Sequence, residues 1–233
     1  MLKRSLVVLA VLAVGVCAAF AQQPSAKATF AYDELIALPA HNAWEPILTQ
    51  EIKMAQWKDL FIDASLQCGI VTDTTVKSVG GVLDADEARG TVRVRVAIYR
   101  DGELVGYAQP DAGVDATGAP DADGVVFCDR IQTLMARFAG LHCTADLETG
   151  AVTCADPEEL QLILKTLNAN SFNFVANDLQ QGVYTIVVEA KTSAVVGAIG
   201  IDGALNNKTN AFIGAGSVAI ESVRMIKGEQ VEF

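Results

Sequence analysis

Apolar and polar residues alternate along most of this chain, and the clearest run is Gly182 to Thr192. Tyr184, Ile186, Val188 and Ala190 share one parity, while Thr185, Glu189 and Lys191 share the other with Val187. That period of two predicts an antiparallel strand with one buried face. Leu60, Ile62, Ala64, Leu66, Cys68 and Ile70 repeat the pattern within Gln56–Val71, and Val92, Val94, Val96 and Ile98 repeat it within Thr91–Tyr99. Asp101–Gly102 then marks a hairpin turn leading to a return strand over Leu104–Ala108. A phase change near Asp129–Arg130 predicts one strand with a bulge over Val125–Phe138, with Leu134, Ala136 and Phe138 inward.

Phe172 and Phe174 alternate inward ahead of the Gly182 strand, and Ala211–Ile226 forms a closing strand. There Val218 and Ile220 are out of phase with Val223 and Met225, which predicts a bulge or a bend. Ile47–Met54 is a further strand, with Leu48, Ile52 and Met54 against the core. Thr29–Ala40 fits either a short helix or an extended arm. Two periods compete over Pro157–Leu167. Asp156 and Pro157 could open a helix carrying Leu160, Ile163, Leu164 and Leu167, whereas Leu160, Leu162 and Leu164 fit a strand. The strand is preferred because its surroundings are β.

These runs amount to about nine to eleven strands separated by turn signals, with little helix. The fold class is all-β, a two-sheet antiparallel β-sandwich of jelly-roll type. Residues 1–21 stand apart. Lys3 and Arg4, an apolar stretch over Leu6–Val16 and Ala19–Phe20–Ala21 before Gln22 have the form of a secretory signal peptide. A lipoprotein alternative would acylate Cys17, although Val16 is bulky for the position before it. The expected organisation is a signal at 1–21, an N-terminal arm and first strand at 22–54, and the sandwich at 55–233. The expected location is extracellular or periplasmic, with no membrane insertion after signal cleavage.

Charge and cysteines extend this picture. The chain has 233 residues, 28 acidic against 17 basic, and a net charge of −11. Loss of Lys3 and Arg4 makes it more acidic still, which argues against nucleic acid as a partner. Of the five cysteines, Cys68, Cys128, Cys143 and Cys154 remain after Cys17 leaves with the signal. An even number in an exported protein points to two disulfides. Four cysteines allow three pairings, which the sequence alone does not choose between; in the preferred one Cys143–Cys154 closes a hairpin turning at Glu148–Thr149–Gly150 and Cys68–Cys128 joins distant strands. Zinc is the rival, but there is no C-x-x-C spacing and the histidines are only His41 and His142.

No catalytic motif emerges. G-x-S-x-G, H-E-x-x-H and a supported Cys–His pattern are missing from the sequence. Asp63 and Glu189 are the carboxylates a glycoside-acting enzyme could use on exposed strand faces, but scattered acids are expected in so acidic a chain. The chain is therefore read as non-enzymatic, with no catalytic residue assigned. Candidate chemistry lies in two places. Pro110–Gly124 carries Asp111, Asp115, Asp121 and Asp123 on a glycine- and proline-rich backbone, which makes it a solvated connector or a calcium loop. Its D-x-D-G core lacks the closing glutamate of an EF-hand. Trp44, Trp57, Tyr99 and Tyr107 are the candidate glycan-stacking aromatics. Arg93 and Arg95 could meet an acidic ligand, or pair across strands with acidic neighbours, the commoner fate. Asn207–Lys208–Thr209 is a glycosylation sequon.

Asn168–Ala169–Asn170–Ser171–Phe172–Asn173–Phe174, Gly182–Thr192 and Gly214–Ala215–Gly216–Ser217–Val218–Ala219–Ile220–Glu221 resemble the last strands of secreted jelly rolls, both the trimeric complement-globular or tumour-necrosis-factor type and phage tail-fibre tips. With Leu60–Phe61–Ile62–Asp63 and Val126–Phe127–Cys128, the chain more closely resembles a group of uncharacterised secreted prokaryotic β-sandwich proteins. The resemblance covers about residues 55–228 and consists of turn-and-strand patterns. It implies oligomerisation and surface recognition, and it supplies no functional residue. The expected function is a secreted structural or interaction protein that assembles by strand pairing, through Ala28–Met54 or Val231–Phe233. The expected partner is a second copy, or an extracellular glycan or protein. A carbohydrate-binding module is the alternative.

Overall fold

The computed structural model describes residues 28–34, 42–78, 83–137, 143–154, 158–198 and 208–225. Every regular element among them is a strand: β1 Ala28–Asp33, β2 Glu45–Met54, β3 Lys58–Ser78, β4 Asp84–Arg100, β5 Glu103–Tyr107, β6 Gly113–Val114, β7 Pro120–Asp121, β8 Val125–Ala136, β9 Cys143–Ala145, β10 Val152–Cys154, β11 Glu158–Leu179, β12 Gly182–Ala198 and β13 Lys208–Val223. The competition over Pro157–Leu167 resolves as strand in its described part, Glu158–Leu167, and Ala28–Asp33 is extended.

Two antiparallel sheets form the sandwich. One runs β1-β13-β3-β11; the other runs β2-β12-β4, with β5 and β8 sharing the far side of β4. Apart from the β4–β5–β8 run and the two small hairpins, successive strands alternate between the sheets. This is the double Greek-key order of a jelly roll. β1 and β2 each form an edge, so Ala28–Asp33 is used by the chain's own β13.

Period-two burial builds the core. Leu60, Ile62, Ala64, Leu66, Cys68 and Ile70 from β3 meet Val92, Val94, Val96 and Ile98 from β4 and Tyr184, Ile186, Val188 and Ala190 from β12. Three of the register shifts between described strands change which residues face the core. Ile47 and Leu48 are both buried because the β2–β12 register shifts there. Phe127 and Cys128 are both buried because the β4–β8 register shifts between Val92 and Arg93. The bulge expected at Asp129–Arg130 therefore sits earlier, at Phe127. In β13 the irregularity falls between Ile213 and Gly216, upstream of the position expected from Val223 and Met225. It moves the inward phase from Ala211 and Ile213 to Val218 and Ile220.

β3 and β4 are longer than their alternation implied, because polar residues are buried at one end. Thr72 and Thr74 on β3 both bond Gln132 of β8, which also donates to the Leu162 carbonyl at 3.0 Å. This network ties β8 across the sandwich to β3 and β11. In β8 the inward parity is the expected one, but Gln132 is its well-buried member, while Leu134 and Ala136 are half-buried. Phe138 lies outside the described residues.

Cys68 and Cys128 form a disulfide between the two sheets, with Cα atoms 6.4 Å apart. The β9–β10 register sets Cys143 directly opposite Cys154. Residues 1–21, Val231–Phe233, His41, His142 and Asn207 lie outside the described residues.

Candidate functional site: the docked acidic loop and the open sheet edge

The outer face of the β2-β12-β4 sheet carries a packed cluster of charged and aromatic groups. Alternation puts Arg93, Arg95, Glu189 and Lys191 there, and the register sets Arg95 opposite Glu189. Arg95 Nε donates to Glu189 Oε2 at 2.6 Å, and the two side chains are only 13% and 12% exposed. The Arg95 guanidinium also lies 4.3 Å from the Trp44 ring centroid and 4.5 Å from that of Tyr107. Lys191 Nζ is 4.7 Å from the Trp44 centroid. Cation–π attraction is strongest where the cation is desolvated, as it is here. Burial raises the Tyr107 hydroxyl pKa, against the opposing pull of Arg95.

This cluster anchors the acidic loop. Arg93 donates to the carbonyls of Asp123 and Gly124 at 3.1 and 3.3 Å, and Arg95 to that of Ala122 at 3.2 Å. Gly124 has φ +77°, and a Cβ there would overlap the Trp44 ring. Asp111 accepts from the Gly124 amide. Asp115 accepts from the Thr117 amide and hydroxyl and the Ala119 amide, which hold its pKa down, the hydroxyl contributing most. Asp121 Oδ1 accepts from Ala122 N at 2.9 Å. Pro110–Gly124 is thus a hydrogen-bonded loop with its own β6–β7 hairpin, docked on the sheet. Three of the four candidate calcium ligands spend an oxygen on loop amides. Among the described residues, no three His, Cys, Asp or Glu side chains converge as a metal site.

The candidate stacking aromatics divide. Trp44 and Tyr107 come together around Arg95, with cations over the rings where a sugar would stack. Tyr99 lies on the same β4 face, half-buried, and Trp57 is exposed in the β2–β3 turn. Asp63 and Glu189 lie on opposite outer faces of the sandwich. Asp63 accepts from the Ser171 hydroxyl at 2.6 Å, and Glu189 is held by Arg95. The two carboxylates therefore do not form a hydrolytic pair.

A second ion pair ties β4 to β8. Arg89 holds Asp129 through two bonds of 3.1 and 2.7 Å, and the Thr91 hydroxyl adds a third at 2.9 Å. The Arg89 bond, with smaller help from Thr91, holds the Asp129 pKa below the ordinary carboxylate value despite some desolvation. A depressed folded-state pKa stabilises the fold above the unfolded value of 3.8. That stability is lost as the pH falls through the lower, folded value. Melting temperatures of wild type and Asp129→Asn are therefore expected to be well separated above the unfolded value of 3.8 and to converge as the pH falls below it through the folded value. A gap independent of pH would refute this linkage.

The open edge is the feature that sequence reasoning missed. β11 has 22 residues and pairs only on its β3 side over Glu158–Asn173 among the described residues; Gln109 bridges Val175 from the other side. Leu160, Leu162, Ile163, Leu164 and Leu167 are exposed along it, Leu167 by 59%. Phe174 and Ala176, of the same parity as Leu160, Leu162 and Leu164, are buried. The three leucines therefore lie on the inner side of the sheet, at the rim beside β8. The leucine-rich run was visible in the sequence, but its position at an edge was not. Near the same rim, a cavity of about 200 Å³ borders the disulfide, Arg130, Thr166 and Asn168.

No protein-family model and no curated protein sequence matches the chain. Among solved structures, it is similar to the structure of the infectious bursal disease virus Gx strain. The identity is 13%, the TM-score is 0.30, and the match covers 84% of this chain and 32% of that one. The chain thus spans about a third of that protein, and at so low a TM-score the likeness carries no argument about function.

Proposed function

We propose that the protein is a non-catalytic extracellular structural or interaction subunit that assembles by adding strands to its sheet edge. The observation behind this reading is the long β11 edge with its row of exposed leucines. Unpaired edges of this length and apolarity are templates for another strand, and monomeric proteins usually blunt or cover them. An inter-sheet disulfide suits an oxidising compartment. On this reading the acidic loop stiffens the outer face of the β2-β12-β4 sheet, and assembly uses the free edge of β11 in the other sheet.

Residues 22–233 are expected to elute above monomer mass on size-exclusion chromatography with light scattering, with a concentration-dependent fraction of larger species. A single monomeric species at every concentration, with no assemblies by electron microscopy, would sink the proposal. The same experiment with calcium and with chelator tests the calcium loop separately. A melting temperature that rises with millimolar calcium would support metal binding there by linkage.

A further inference from the structure

We infer that the occupant of the β11 edge is the β11 of a second copy, paired antiparallel about a two-fold axis through Leu162. The inference rests on the assembly reading above and specifies its partner and register.

The backbone sets the first constraint. Val175 both donates to and accepts from Gln109, at 3.1 and 2.7 Å, so its amide and carbonyl point away from β3. The β11–β3 register is unbroken from Glu158 to Ala176. Outward direction alternates along a strand, so Glu159, Gln161, Ile163 and Lys165 also turn their amides and carbonyls to the open side. A second strand can bond this edge only in registers that set odd residues opposite odd residues.

Side chains choose among those registers. Between Glu159 and Asn173 the only charged residues are Glu159 and Lys165. Centring the axis on Leu162 puts Glu159 of each copy opposite Lys165 of the other, and Gln161 opposite Ile163. It also puts Leu160 opposite Leu164, and Leu162 opposite itself. Shifting the axis to Ile163 would instead set Glu159 against Leu167 and Lys165 against Gln161. In the Leu162 register the leucines occupy non-hydrogen-bonded positions, where facing side chains approach most closely. Leu160, Leu162 and Leu164 of both copies then form one apolar row on the inner side of a continuous eight-stranded sheet. On the outer side, Lys77 already bonds Glu159 at 3.2 Å. The partner's Lys165 would extend this to a Lys–Glu–Lys row across the junction. The interface is isologous, as two-fold pairing requires. It adds about eight backbone hydrogen bonds over seven residues.

Cysteine scanning tests the register. Leu162→Cys is expected to give a covalent dimer on mild oxidation, because only residue 162 faces itself. Leu160→Cys and Leu164→Cys are each expected to remain uncrosslinked alone and to crosslink when mixed. Wild type on the same non-reducing gel controls for the native cysteines. Ile163→Pro removes an outward amide and no bond to β3, so it should fold and be monomeric. Lys165→Glu, a surface change that leaves the fold intact even if the proline variant fails, is expected to weaken dimerisation about tenfold through two symmetry-related like-charge pairs. Glu159→Lys combined with Lys165→Glu is expected to restore it. Assemblies that persist unchanged in both Lys165→Glu and Ile163→Pro, without the Leu162→Cys crosslink, would overturn this pairing and leave self-assembly standing. A strictly monomeric wild type would overturn both.

Discussion

Replacing Cys68 and Cys128 together with alanine is expected to lower stability by about 4 kcal/mol, the loop-closure value for a cross-link of this span. The bond joins residues 60 apart in sequence, so it removes much freedom from the unfolded chain. In the folded protein it pins β3 of one sheet to β8 of the other, within the core. β8 otherwise meets the facing sheet through the Gln132 hydrogen bonds and through the buried Phe127 ring, which lies 6.5 Å from that of Phe172 on β11. Losing the cross-link should loosen this edge first. Asn170 of β11 donates to the Phe127 carbonyl at 2.6 Å, beside the disulfide, so the upper part of β11 should be affected as well. The expected fall in Tm is roughly 10–15 °C for a domain of this size. Equilibrium denaturation of the double variant, beside wild type with and without reductant, provides the measurement. Equal midpoints for the variant and oxidised wild type would refute the structural role.

Arg95→Ala is expected to cost about 3–5 kcal/mol, because it leaves Glu189 largely buried without its counter-charge. It also removes the cation beneath Trp44 and Tyr107 and the donor to Ala122. Two readouts should move together. The denaturation midpoint should fall, and limited proteolysis within Pro110–Gly124 should accelerate as the loop loses its anchor. Arg95→Met keeps much of the apolar contact and removes the charge, so it should leave Glu189 equally unpaired and destabilise to a similar degree. A loop no more cleavable than in wild type would show that Arg93 and Asp111 suffice to hold it.

Much of the sandwich could be read from the chain because one face of each core strand alternates cleanly. Tyr184, Ile186, Val188 and Ala190 are buried as the pattern requires, as is the Leu60–Ile70 series. The Asp101–Gly102 hairpin is present, with φ values of 54° and 83°. Cys68 lies on an inward parity, but its pairing with Cys128 was one of three connectivities open to the sequence, and the bulge at Phe127 is what turns Cys128 inward. Alternation carries no signal where burial is polar or the period breaks. Thr72, Thr74 and Gln132 are buried because they satisfy one another, and no apolar pattern announces such a network. Bulges at Ile47, Phe127 and Gly214–Ala215 each shift the phase by one residue, and the chain shows only that a shift occurs nearby.

The candidate site divides along the same line. That Arg93 and Arg95 share the polar face of their strand, and that Glu189 lies on the polar face of its own, was readable from alternation; that β4 and β12 are neighbours and set Arg95 opposite Glu189 was not. That the aspartate loop folds back onto those arginines was not, because hydrogen bonds from side chains to loop carbonyls leave no periodic trace. The edge is the clearest case. Local pattern determined that Glu158–Leu167 is apolar and able to form a strand. Strand order alone, set by how distant segments pair, decided that β11 ends its sheet and that its leucines meet a free backbone edge instead of a neighbouring strand. Periodicity records which side of a strand is buried, and nothing in it records what lies beside the strand in the plane of the sheet.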